Sequence, residues 1–128
     1  MEKLGYICYM GYKLFLDDER MPINCIGFFS PEKRIYRDND WVIVRTFEDF
    51  VETVTKQWEV HNNFPAMISF DHDLGTEKSG KDCANWLVSY CIENGMPFNE
   101  YIVHSQNTVG AENISSLLNQ YKRHINGN

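Results

Sequence analysis

The chain has 128 residues, of which 43% are hydrophobic and 14% aromatic, and a formal net charge of −6. That length suits one domain with its own core, and the apolar content excludes a disordered chain. The negative balance argues against bulk binding to duplex nucleic acid, which needs dense Lys and Arg, and no apolar run approaches the roughly 20 residues of a membrane span.

Met1 to Lys13 lacks the pattern of a signal peptide; within it Tyr6-Ile7-Cys8-Tyr9 suits either an extra edge strand or a packed tail. Cys8, Cys25, Cys83 and Cys91 form no C-x-x-C pair, so they read as reduced thiols of a cytoplasmic protein, not as zinc ligands. Lys13-Leu14-Phe15-Leu16 predicts a buried strand that ends in Asp17-Asp18-Glu19-Arg20. Pro22 bars an ordinary helix interior, and no helical period follows before Asp40. Ile26 to Phe29, the turn-like Ser30-Pro31-Glu32-Lys33 and Arg34 to Arg37 suggest a hairpin or an ordered loop.

Trp41-Val42-Ile43-Val44 predicts the second strand, ending in Arg45-Thr46. Thr46, with Asp49 three residues on, reads as a helix N-cap. Phe47, Phe50, Val51, Val54 and Trp58 follow at helical spacing, and the helix should end by His61-Asn62-Asn63, before Pro65. Met67 to Phe70 is the third strand and runs into Asp71-His72-Asp73-Leu74-Gly75. After a polar loop, Lys81 or Asp82 opens a helix carrying Cys83, Ala84, Leu87 and Cys91, closed by Asn94-Gly95. Tyr101-Ile102-Val103 is the fourth strand, ending in His104-Ser105-Gln106-Asn107. Gly110-Ala111 opens the last helix, with Ile114, Leu117, Leu118, Tyr121 and Ile125 on one face.

Four short apolar strands separated by helical segments predict a parallel α/β sheet covered on both faces. Right-handed crossovers then gather the strand C-termini on one edge, where open α/β sheets bind ligands. The polar chemistry of the chain is concentrated at those strand ends. Asp17, Asp18 and Asp71 are candidate oxygen ligands for Mg²⁺ or Mn²⁺, though a single Asp-Asp pair at a strand end often only caps a turn. His72 and His104 are candidates for general acid–base work or, for one of them, for a softer metal. Asp73 would orient a histidine or share the metal. Arg20, Ser105 and Asn107 are candidates to hold phosphate oxygens, as is Arg45 for charge stabilisation and the helix opening at Gly110 for its free backbone N–H groups.

An Asp-Asp pair after strand one, an Asp after strand three and a Ser after strand four resemble the response-regulator receiver fold. More specifically, Leu16-Asp17-Asp18-Glu19-Arg20-x-Pro22, Phe70-Asp71-His72-Asp73-Leu74-Gly75 and Val103-His104-Ser105-Gln106-Asn107 are similar to the cyclic-phosphate-processing receiver domains, over about Lys13 to Tyr121. The resemblance implies one receiver-like domain over residues 1–128, with an irregular or hairpin insertion around 23–40. Its fold would be α/β, three-layer and flavodoxin-like, with core strand order 2-1-3-4. The usual first helix and fifth strand, with the phosphate-contacting lysine of that strand, have no match here.

The resemblance also implies a metal-dependent phosphoesterase-like domain that processes a cyclic phosphate, on an RNA end or a cyclic nucleotide. Asp17, Asp18 and Asp71 would hold the metal and His72, His104 and Asp73 would move protons; Asp71 as a nucleophile is a variant. The alternative is a non-catalytic receiver-like module that binds a phosphorylated ligand or accepts a phosphoryl group at Asp71. The expected partner is a small phosphorylated ligand, a nucleotide or an RNA end, with no membrane.

Overall fold

The computed structural model of this chain describes residues 11–25, 35–96 and 100–125. Strands form where the sequence is continuously apolar: β1 (Lys13–Leu16), β2 (Trp41–Val44), β3 (Met67–Phe70) and β4 (Glu100–Val103). They pair in parallel in the order β2-β1-β3-β4. Leu16 sits opposite both Val44 and Phe70, and Phe70 opposite Val103. All four strands therefore end at one level on one edge. Among the described residues no fifth strand follows the last helix.

Among the described residues three α-helices connect and follow the strands: α1 (Phe47–His61), α2 (Gly80–Asn94) and α3 (Thr108–Ile125). Thr46 caps α1 by accepting the Asp49 N–H, and Asn62 ends it in the left-handed conformation. The α2 N-cap is Ser79, in a reciprocal capping box with Asp82, so this helix starts before the expected Lys81 or Asp82. Gly95 closes it with φ 64°, a backbone angle that favours glycine. α3 likewise starts before Gly110, because the Asn107 side chain accepts the Gly110 N–H across 2.9 Å.

The two faces of the sheet are covered differently. Side chains alternate along a strand, so Leu14, Leu16, Ile68 and Phe70 join Phe50 and Val54 of α1, Leu87 of α2 and Ile114 and Leu118 of α3 in one core. Phe15 points the other way and packs with Cys25, Tyr36 and Trp41. That second face carries no α-helix among the described residues. Its cover is the segment after β1, which includes a short 3₁₀ helix at Pro22–Cys25. The expected third layer is thus irregular chain where a first helix is usual. Ile35–Arg37 forms a tight helical turn, not the second arm of a hairpin. The rest of that expected hairpin (26–34) and the expected edge strand at Tyr6–Tyr9 lie outside the described residues.

Candidate functional site

The first residue past β1, β3 and β4 continues the sheet for one hydrogen bond. Asp17 N–H donates to Val44 O (3.2 Å), Asp71 N–H to Leu16 O (3.0 Å) and His104 N–H to Phe70 O (2.9 Å). Alternation sends these three side chains to the face of Phe15 and Ser69. His72, one position later, goes to the face of the helices.

Asp17 sits at the centre of a fully bonded web. Its Oδ1 accepts the backbone N–H groups of Glu19 (2.9 Å) and Arg20 (2.8 Å). Its Oδ2 accepts from Arg20 Nη1 and from His104 Nε2, both at 3.0 Å. Burial is the largest single influence and opposes ionisation. The bonds from His104, the two backbone N–H groups and Arg20 together outweigh it and hold the carboxyl well below the usual carboxylate range. Arg45 does not enter the pocket wall; its Nη1 donates to the carbonyls of Asp17 (3.0 Å) and Arg20 (2.7 Å) and so pins the loop after β1.

Asp71 is the opposite case. Its Oδ1 accepts the His72 N–H at 2.8 Å, while its Oδ2 makes no hydrogen bond among the described residues and stands 4.0 Å from Arg20 Nη1. Burial, and next the Asp17 charge, push its carboxyl above the ordinary value. Asp18 is half-buried and forms no hydrogen bond or ion pair among the described residues.

On the far side, His72 Nδ1 lies 2.9 Å from Asp73 Oδ1. That bond, aided by Asn107, holds the Asp73 carboxyl below its ordinary value. Asn107 Nδ2 lies 3.3 Å from both Asp73 oxygens, and its backbone N–H donates to Ser105 Oγ at 3.0 Å.

These groups surround a pocket of about 310 Å³ lined by Asp17, Asp18, Arg20, Asp71, Asp73 and Ser105, with Asn107 beside them. The structure thus brings the candidate carboxylates Asp17, Asp18, Asp71 and Asp73 together with Arg20, Ser105 and Asn107, and leaves Arg45 and Gly110 outside the pocket lining. The histidines are placed otherwise. His104 is 0% exposed beneath Asp17, stacked on Phe15 at a centroid distance of 4.6 Å. Both its ring nitrogens are engaged inside the protein, Nε2 with Asp17 Oδ2 at 3.0 Å and Nδ1 with Ser69 Oγ at 2.6 Å, so in this structure it presents no edge to the pocket. His72 borders the pocket through Asp73, its ring turned against α3 at Gly110.

Donor atoms of Asp17, Asp71 and His104 lie within 4.8 Å of one another, and Asp18 falls outside that group. The donor set suits a hard cation only where an oxygen is free of other bonds. Asp17 Oδ2 and His104 Nε2 already bond each other, whereas Asp71 Oδ2 and the Asp18 carboxylate have oxygens to give.

Two buried residues of the site escape a sequence reading. Ser69 Oγ lies 2.6 Å from His104 Nδ1 and 2.8 Å from Tyr36 Oη. Ser69 did leave a signal, as the one polar residue of β3, two positions before Asp71 and so on its face. Tyr36 left none, because it stands in an irregular segment with no period to read.

A parallel sheet in the order β2-β1-β3-β4, with paired acids after β1 and an aspartate after β3, defines a receiver-like α/β domain. The chain belongs to the cyclic-phosphate processing receiver domains, whose family model matches residues 12–120. Among solved structures, the phosphorylated cyanobacterial phytochrome response regulator RcpA is similar. The identity is 18%, over 88% of this chain and 89% of that one, with a TM-score of 0.47. A comparison with curated proteins finds no match. No helix among the described residues is long and apolar enough to cross a membrane.

Proposed function

We propose that this chain is a receiver-like module whose acidic pocket takes the phosphate of a small ligand with the help of Mg²⁺ or Mn²⁺, the whole acting as one domain with an insertion at 23–40. The observation that carries this reading is Asp71: a buried carboxylate whose Oδ2 makes no hydrogen bond among the described residues and has Arg20 Nη1 at 4.0 Å, in the same pocket as Asp18, which makes no hydrogen bond or ion pair among them. Ionised carboxylates lining one pocket repel a phosphate unless a cation offsets their charge. Asp71 and Asp18 would hold that cation, which when bound neutralises both carboxylates and polarises a phosphate oxygen. Arg20 stays anchored on Asp17 and turns its guanidinium edge toward the same oxygen of Asp71. Ser105 Oγ already accepts the Asn107 N–H, so its own hydrogen is left to donate to a phosphate oxygen.

A second reading is turnover of a cyclic phosphate, for which the family's description, cyclic-phosphate processing, gives the substrate class. It is favoured by the His72–Asp73 pair at the pocket rim. With Asp73 accepting from Nδ1–H, His72 Nε2 is left to take a proton from water and return it to the oxygen released when the ring opens. Asp73 is then a positioning residue for that imidazole.

Titration of the chain with Mn²⁺, followed by incubation with 2′,3′-cyclic, 3′,5′-cyclic and 1″,2″-cyclic phosphates with Mg²⁺, Mn²⁺ or EDTA, tests both. Cation-dependent phosphate binding lost in Asp71→Ala supports the first reading. Ring opening lost in His72→Ala adds the second, and a phosphoryl adduct on Asp71 replaces both with an acceptor role. Absence of cation and phosphate binding overturns the proposal.

A further inference from the structure

Ser69 is 0% exposed, and nothing in the proposed chemistry uses it. A hydroxyl buried there is costly unless its bonds are made. They are made to two buried groups: Tyr36 Oη at 2.8 Å and His104 Nδ1 at 2.6 Å. His104 Nε2 continues the line to Asp17 Oδ2 at 3.0 Å, across 87 residues of sequence. The line begins at the wall of a second cavity, of about 230 Å³ between Met21, Ile23, Tyr36 and Trp41, and ends on a carboxylate of the acidic pocket.

Its polarity follows from counting hydrogens. An ionised Asp17 only accepts, so His104 Nε2 carries its hydrogen toward it. If Nδ1 accepts, Ser69 donates to His104 and Tyr36 donates to Ser69, and every hydrogen in the line is used. If Nδ1 donated instead, one hydroxyl hydrogen, that of Ser69 or that of Tyr36, would have no acceptor among the described residues. The first arrangement is the satisfied one. Ser69, His104 and Asp17 are also the residue types of a hydrolase triad. Ser69 nonetheless has no path to a substrate, and Tyr36 occupies the lone pair a nucleophile would use.

We propose that Tyr36 and Ser69 are positioning residues of the acidic pocket, which act through His104 to fix the direction in which the Asp17 carboxylate faces. An Asp17 held in this way keeps Arg20 Nη1 at 3.0 Å from its own Oδ2 and at 4.0 Å from that of Asp71. The Asp71 oxygen then stays open on the pocket. With the relay broken, Asp17 turns, Arg20 follows, and the guanidinium competes for Asp71. The functional consequence rests on the cation reading above, whereas the relay itself does not.

The test uses the full chain in two arms. In the first, free Mn²⁺ is followed by electron paramagnetic resonance for the wild type and for Tyr36→Phe, Ser69→Ala and Ser69→Thr, with the thermal midpoint of each. Loss of one hydrogen bond predicts Mn²⁺ affinity about tenfold weaker in Ser69→Ala and about threefold weaker in Tyr36→Phe, with Ser69→Thr restored. In the second, ¹⁵N-histidine spectra without metal should show a neutral His104 protonated at Nε2. Its Nδ1 resonance should move toward that of an unbonded nitrogen in Ser69→Ala and less so in Tyr36→Phe. Unchanged Mn²⁺ affinity in both variants, with only the midpoint lowered, overturns the positioning role. A wild type without Mn²⁺ affinity overturns the cation reading, and the second arm then decides the relay alone: an unmoved Nδ1 resonance overturns it. If Ser69→Ala does not fold, Tyr36→Phe, which keeps the ring packing, carries both arms.

Discussion

The imidazole of His72 lies flat against Gly110 of α3: a Cβ at that glycine would stand 2.3 Å from His72 Cγ. A glycine in the first turns of a helix is thereby tied to the orientation of the one histidine at the pocket rim. Alanine there gains about 1 kcal/mol in helix propensity, and overpacking costs about 1–3 kcal/mol. The atoms met are Cγ, Cδ2 and Nδ1 of a ring held by Asp73, so the imidazole must shift off its present position and the substitution should cost about 1 kcal/mol net. Gly110→Ala is expected to slow any cyclic-phosphate opening roughly hundredfold and to leave Mn²⁺ affinity unchanged. Kinetics and metal titration on the same sample check this.

Gly80 is a different case, because what a Cβ would meet is main chain. It would stand 1.8 Å from Asp71 O, while the Gly80 N–H already donates to His72 O at 2.7 Å. Backbone held in the sheet cannot give as a side chain does. Gly80→Ala is expected to lower stability by about 3 kcal/mol, read as a lower urea midpoint with unchanged slope, and to weaken Mn²⁺ binding because Asp71 moves.

Asp71 should cost the cation-free fold stability at neutral pH. Its folded carboxyl titrates above the unfolded value of about 3.9. Between those two values the folded chain holds the extra proton, so stability falls as pH rises through the window. Asp71→Asn removes this cost. It is expected to stabilise the cation-free chain at pH 7 by about 1 kcal/mol and to abolish Mn²⁺ binding. Denaturant melts with and without Mn²⁺ check both signs.

Asp17 should act in the other direction. Its folded carboxyl lies below the unfolded value, so its contribution is complete above about pH 4 and is lost as pH falls from there toward the folded value. Asp17→Ala leaves His104 Nε2 and Arg20 without their acceptor and should cost about 3 kcal/mol at pH 7. Asp17→Asn, which keeps an acceptor, should cost less and flatten the acid limb of the stability profile. Urea midpoints from pH 2 to 7 for the three chains measure this.

The strands, the helix caps and the edge that carries the chemistry were legible because each depends on local rules. Leu14, Phe15 and Leu16 make a buried strand whatever lies beside them. Thr46 and Gly95 terminate helices by their own backbone chemistry, and the parallel order follows from the alternation of strands and helices. The carboxylates were legible for the same reason, since a charge directly after an apolar strand marks the strand end. The roles of the histidines were not. His72 and His104 look alike in the chain, each directly after or near a strand end. Which one lies near the pocket depends on what packs over it: Phe15 and Tyr36 cover one completely, and Gly110 leaves room for the other at the rim.

The amino-acid sequence alone determined the parallel sheet and the set of acids at its edge, because those follow from periodicity and from where charge interrupts it; the strand order was implied by the family resemblance and is seen in the structure. Only the tertiary structure decided how the acids differ. Asp17 is satisfied by four donors brought from its own loop and from β4, and Asp71 is left short of partners at the same depth. Burial and hydrogen bonding set the electrostatics of a carboxylate, and both are properties of neighbours distant in the chain.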